Sequence, residues 1–178
     1  MVKKKSNRKP KNIGEAVGFR NVFSNEKTDF LLGVILLLVA IFVVIAMVSF
    51  FSTGQADQSL LESLRPGEWM NTNRIFTNYC GSIGAIMSYF FMAVNFGIPA
   101  FFIPIFVVLV GVKLMKIYTV NLWKWFFSMM LTMIWCSIAF AKFLTPIMGG
   151  LFFNPGGEHG LLCVQQLENI VGAPGLIG

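Results

Sequence analysis

Apolar positions along this chain come in long unbroken runs rather than in the alternating or 3.6-residue patterns of a soluble core. Phe30 to Phe51 is twenty-two consecutive residues without a charge, filled by Leu, Val, Ile and Phe and free of Pro. As an α-helix this run is about 33 Å long, against a bilayer hydrocarbon core of roughly 30 Å. It reads as a membrane span at about 30–52. Ile75 to Val112 is a second charge-free stretch, of thirty-eight residues. One helix of that length would extend about 57 Å, so something must break it. Asn95, Gly97, Pro99 and Pro104 are the candidate breakers. A third run, Trp123–Leu144, begins with Trp123, Trp125 and Phe126, rings suited to the headgroup level. Lys142 falls in its last turn and reads as a lysine snorkelling to the interface. Beyond Pro146 the chain is glycine-rich. There Leu161, Val164, Leu167 and Ile170 or Val171 recur at helical spacing between Gln165, Gln166 and Glu168, which predicts a short amphipathic helix lying on the membrane.

The long middle stretch allows two arrangements. In one, 79–95 and 98–115 form a transmembrane hairpin. In the other, 79–95 lies at the outer interface and only about 97–116 crosses. Charge separates them. Eight basic residues precede the first span, from Lys3 to Lys27, and Lys113, Lys116 and Lys124 follow the second. A single crossing puts all eleven on one side and leaves Arg65, Arg74 and Lys142 on the other, the bias expected of an N-terminus in the cytoplasm. The expected fold is therefore an all-α integral membrane protein. It has a basic cytoplasmic leader at 1–29, in which Ile13, Val17, Phe19, Val22 and Phe23 suggest a short interfacial helix. A membrane domain follows at 30–178, with spans at about 30–52, 97–116 and 123–145 and outer segments at 53–96 and 146–178. The first outer segment contains a turn at Arg65-Pro66-Gly67, followed by Trp69.

Composition agrees with that picture. The chain is 56% hydrophobic and only 12% charged, with a net charge of +6 concentrated at the leader and around 113–124, so the basicity reads as orientation rather than as a nucleic-acid groove. A cleaved signal peptide is the rival reading of the first span, but its apolar core would be about 7–15 residues. Three cysteines, at 80, 136 and 163, lack the spacing of a disulfide framework or a zinc site. His159 stands alone beside Glu158 and reads as solvent-facing. No catalytic residue, metal site or cofactor site is expected.

Two stretches share a pattern. Gly81-Ser82-Ile83-Gly84 precedes Gly97 and then an apolar run containing Pro99 and Pro104; Gly157-Glu158-His159-Gly160 precedes Gly172 and then APGLIG. Each reads as a GxxG start, a helix, a glycine break and a span, with the second span absent. The pattern leads to the expectation that a fourth span follows Gly178 and that the chain is the N-terminal piece of something longer. Gly81/Ala85 and Gly84/Ser88 also have the small-xxx-small spacing of close helix contacts. The candidate structural positions are Gly81, Gly84, Ala85, Gly97, Pro99, Pro104, Gly157, Gly160 and Gly172.

Asn78, Gly81, Gly84, Ala85, Phe91, Phe96, Gly97, Ala100, Phe101, Phe102 and Pro104 form N-x-x-G-x-x-G-A-x-x-x-x-x-F and FGxxAFxxP. Gly156, Gly157, Gly160, Leu162, Leu167, Gly172 and Gly175 form a second glycine and leucine pattern. Over about 30–178 these residues resemble the N-terminal membrane domain of FtsK/SpoIIIE-type bacterial DNA translocases. The resemblance implies a four-span anchor in the bacterial inner membrane that brings a hexameric, ATP-driven motor to the division septum, where it moves chromosomal DNA. It also implies self-association and contact with other division proteins. No GxxxxGK[ST] phosphate loop is present, so the ATP chemistry of that family has no residues here. DNA would be reached through the absent motor, apart from weak, sequence-blind contact by Lys3–Lys11; the same lysines also suit anionic lipid. The competing reading is a fragment of a small polytopic transporter or channel subunit. That reading needs intramembrane ionisable groups along a path, and Lys142 is its one candidate.

Overall fold

The computed structural model describes residues 26–63, 65, 67–68 and 74–172. The first 25 residues of the leader, with Lys3–Lys11, the Pro66 and Trp69 positions, and Gly175 and Gly178 lie outside the described residues. Those residues are all-helical, with no strand among them. Helix α1 is Glu26–Glu62. Helix α2 is Gly81–Ser88 and runs directly into a π-helical stretch, Tyr89–Phe96. A single 3-10 turn, Ile98–Phe101, leads into α3, Phe102–Leu114. Helix α4 is Leu122–Ala139, closing in a π turn at Phe140–Leu144, and α5 is Gly157–Val171. Helix α1 and the Leu122–Leu144 helix are each long and apolar enough to cross a membrane.

Helix α1 is longer than the span expected from its apolar run. It starts four residues before Phe30, inside the expected leader, and continues ten residues past Ser52 into what reads as a linker. Nothing between Ser52 and Glu62 breaks a helix: Gln, Ala, Leu and Glu dominate, and all are good helix formers. Gly54 is tolerated because it sits against the rings of Phe50 and Phe152. At the other end Asn121 caps α4, its side-chain oxygen accepting from Lys124 N at 3.3 Å, as an N-cap asparagine should.

Helix α3 packs antiparallel along α1. Phe101 stacks on Phe51 with ring centroids 6.5 Å apart, while at the far end the Lys116 ammonium donates to Glu26 at 2.7 Å. That bond and the lysine charge hold the Glu26 carboxyl below its ordinary range. Midway, two glycines let the backbones meet. A Cβ on Gly33 would lie 2.7 Å from Gly111 O, and one on Gly111 would lie 2.9 Å from Gly33 O.

Helix α2 has a different relation to α1. Asn78, just before it, bonds to Ala46 O at 3.0 Å, and Cys80 Sγ reaches Phe42 O. Its far end meets the α3 start, where Phe101 stacks on Phe51. Both ends of α2 therefore rest at one level of α1, between about 42 and 57, and the helix lies across α1 rather than along it. Phe50, Met47, Met92, Ala100 and Phe153 make the buried cluster at that level. Asn95 lies inside the π stretch, its Nδ2 donating to Phe90 O at 2.7 Å.

The α1–α3 contact can be tested directly. Gly111→Val should lower stability in detergent by about 2 kcal/mol, since the added methyls must push two helix backbones apart. Gly149→Ala, with nothing within 4 Å of the new Cβ, should stay within about 0.5 kcal/mol of the parent. Both are read as the shift in thermal or SDS-induced unfolding.

Candidate functional site

Each expected repeat unit is entered through an asparagine turn. In the first, Asn78 Oδ1 accepts from Cys80 N at 3.0 Å and Gly81 N donates to Asn78 O at 2.8 Å. In the second, Asn154 Oδ1 accepts from Gly156 N at 2.9 Å and Gly157 N donates to Asn154 O at 2.8 Å. Gly81 and Gly157 take φ of +63° and +73° and start α2 and α5. Gly97 and Gly172, at φ +67° and +78°, end them. These are conformations that disfavour any residue with a Cβ. The helices differ by one residue, eight α plus eight π residues against the fifteen of α5. A π insertion takes up an extra residue without breaking the helix, so the glycine brackets keep their relation.

Each turn is also held by the long helix before it. Tyr79 N donates to Ser49 Oγ of α1 at 3.0 Å, and Ser137 Oγ of α4 donates to Gly156 O at 2.6 Å. The GxxG glycines allow this closeness. A Cβ on Gly84 would lie 3.2 Å from that of Ala46, and one on Gly160 would lie 2.5 Å from Ser137 O. Ala85 is buried beside Gly84. Pro99 is buried at the start of the 3-10 turn, and Pro104 is fully buried in the first turn of α3, where a proline interrupts no helical hydrogen bond.

The two units meet at their glycines. Ile98 N donates to Pro155 O at 2.8 Å. A Cβ on Gly97 would lie 2.5 Å from Gly157 N, and one on Gly157 would lie 2.6 Å from Gly97 N. Gly81 is different: a Cβ there meets nothing within 4 Å. Within the chain it provides a backbone angle, not a close approach.

The first turn carries a polar node that sequence reasoning counted only as linker charge. Asp57 is 1% exposed, and its carboxylate accepts from Thr77 N and Thr77 Oγ1 at 2.8 Å and from Asn78 N at 3.1 Å. Three donors on one carboxylate satisfy the buried charge. The signal available in the sequence was spacing: Asp57 lies two helical turns beyond Ser49 on the face that meets Asn78.

Other sequence candidates fall elsewhere. Lys142 does not simply snorkel, because its ammonium pairs with Glu168 of α5 and the two side chains are 21% and 35% exposed. Helix α5 supplies a carboxylate within its reach. His159 is half-buried rather than solvent-facing: its ring lies 5.3 Å from that of Phe96 and its Nε2 is 3.8 Å from Cys163 Sγ. The three cysteines are free. A cavity of about 270 Å³ lies between α1, the π stretch, the Phe152–Asn154 segment and α5, with Glu62 and Glu158 on its wall, but Glu62 is already bound by Gln58 Nε2 at 2.7 Å. Among the described residues no group of three His, Cys, Asp or Glu is placed to hold a metal.

Comparison with known proteins gives one family match. The family described as the 4TM region of DNA translocase FtsK/SpoIIIE matches residues 27–177. No curated protein and no solved structure matches. The match covers most of the chain, and the chain belongs to this family.

Asp57 gives the sharpest test of the turn. Asp57→Ala should lower stability by about 3 kcal/mol, because it strips the acceptor from two backbone N–H groups and a hydroxyl. Asp57→Asn, which keeps one acceptor oxygen, should lose roughly half as much. The comparison is read from unfolding midpoints in detergent.

Proposed function

Taking membership of the FtsK/SpoIIIE four-transmembrane family as the premise, we propose that this chain is the membrane-anchoring and septum-targeting part of a cell-division DNA translocase. Its own work is mechanical: insertion, helix contact and recruitment. ATP hydrolysis and DNA movement belong to the motor of the parent protein. The observation that carries this reading is the family match over residues 27–177. The scaffold fits the role, since its glycines and polar side chains are spent on backbone turns and helix contacts rather than on a reacting group. A transporter path draws no support from Lys142, whose charge is met by Glu168.

In the membrane we place the N-terminus in the cytoplasm, with three spans at about 30–52, 97–116 and 123–145. The pairing of Lys116 with Glu26 supports putting the lysines that follow α3 on the side of the leader. The level position of α2 on α1 supports an outer interfacial helix in preference to a hairpin. Cysteines introduced at Ser59 and Gln166 should then react with an impermeant maleimide added to intact cells, while one at Asn121 stays protected. The hairpin reverses the outcome at Asn121 and Gln166, so labelling of Asn121 with protection of Gln166 would sink the single crossing.

Targeting is tested in dividing cells. A fluorescent fusion to this membrane domain should gather at division sites, and Gly84→Leu, which drives side chain into Ala46 and Asn78 of the turn, should blur that enrichment while leaving insertion intact. A uniform rim of fluorescence from the unaltered domain would count directly against septal targeting.

A further inference from the structure

Between α3 and α4 lies an open groove of about 160 Å³, lined by apolar side chains alone. Phe106 and Val107 form part of one wall, and Phe126, Met129, Met130 and Met133 form the other. Both walls belong to segments read as membrane spans, so the groove can be filled only by another helix or by a lipid chain. One turn of helix, a cylinder about 10 Å across and 5.4 Å long, fills roughly 400 Å³. That is more than twice the groove, whereas a single hydrocarbon chain fits. The three methionines favour such a guest, because unbranched thioethers adapt to a partner without a fixed shape. Depth agrees as well. Phe126 and Met133 stand about 6 and 17 Å along the helix from Leu122, the range of one leaflet's acyl chains in a hydrocarbon core of roughly 30 Å.

The end of the groove nearer the membrane surface is basic. Lys113 follows Phe106 by seven residues, two turns further along the same face of α3 and about 10 Å closer to that surface. On the α4 side Trp123 sets its ring edge-on to Phe126, with centroids 6.4 Å apart, and is 73% exposed. Lys113 and Lys124 are exposed, and among the described residues neither has an ion-pair partner. Glu26, the carboxylate at this level, is taken by Lys116.

We propose that this groove binds one anionic phospholipid, with an acyl chain between α3 and α4 and the headgroup phosphate at Lys113. An uncompensated lysine at the mouth of an apolar slot matches the two parts of such a lipid, charge to charge and chain to wall. Trp123 borders the same mouth at the headgroup level, where an amphipathic ring is at home. The site goes beyond membrane anchoring. It depends neither on septal targeting nor on the direction of insertion, since groove, lysine and tryptophan share one end of the α3–α4 pair.

Fluorescence quenching in phosphatidylcholine vesicles tests it. Trp69→Phe, Trp125→Phe and Trp135→Phe leave Trp123 as the one tryptophan of the full chain. A minority of brominated phosphatidylglycerol should quench Trp123 as though enriched about fivefold over brominated phosphatidylcholine, the preference one lysine at the headgroup supplies. Lys113→Gln, at an exposed position, should bring the two lipids to parity. Deleting residues 2–11 should leave the preference in place, which separates the groove from the basic leader. Val107→Phe, or Met130→Phe from the opposite wall, fills the slot and should abolish the preference with the unfolding midpoint unchanged. Equal quenching by the two lipids in the starting chain would overturn the proposal. So would a preference that survives Lys113→Gln or a folded groove-filling variant, or one that is lost with the leader. Lys113→Gln decides the matter even where neither filled variant folds.

Discussion

The backbone of Gly97 pressed against the backbone of Gly157 is the contact on which the arrangement depends. Each glycine occupies the space a Cβ would need on the other side, and each also holds a left-handed angle. The two requirements coincide at a single pair of residues. Because both are backbone constraints, repacking of neighbouring side chains cannot relieve them. The joint fixes where α2 ends, where α3 starts and where α5 starts, and through Ile98 N to Pro155 O it ties the first unit to the second. The level of α2 on α1 follows, since one end is set by this joint and the other by Asp57 and Asn78.

Helix association within a bilayer gains little from the hydrophobic effect, because lipid tails are as apolar as leucine; close backbone packing and satisfied polar groups must supply specificity. The chain uses both. Gly33 with Gly111, Gly84 with Ala46, and Gly160 with Ser137 bring helices together. Asp57, Asn78, Asn154 and Ser137 satisfy the backbone at the turns where the helices are interrupted. An irregular backbone near a membrane is tolerated where the protein itself supplies the missing partners. Here Asp57 and Ser137 come from the long helix preceding each turn, and Asn78 and Asn154 from the turn itself, so each unit carries its own support.

Helical class, the apolar runs, the third run at Trp123–Leu144 and the amphipathic α5 were legible in the sequence, because each is a local property of composition and period. The paired glycine pattern was also legible, since GxxG and the later glycine recur at nearly constant spacing. The one-residue difference between the units is taken up by the π stretch at Tyr89–Phe96, which no sequence pattern marked. The extension of α1 to Glu62 was missed because the change from apolar to polar residues marks the end of a hydrophobic run, and a helix stops only where hydrogen bonding or a breaker stops it.

Only the tertiary structure decided which small or polar residues matter. Gly33 and Gly111 stand alone in their segments, and their pairing depends on the register of two antiparallel helices far apart in sequence. Asp57 reads as one charge in a near-neutral linker until the chain returns with Thr77 and Asn78. Lys142 and Glu168 are twenty-six residues apart and meet because α5 folds back on α4. Gly81 and Gly157 have the same sequence context and backbone angle, yet one is open and the other sealed. Sequence determines the conformation that each glycine permits, because φ is a local quantity. What lies against that glycine is a matter of which segments arrive there, and that is set by the packing of the whole chain.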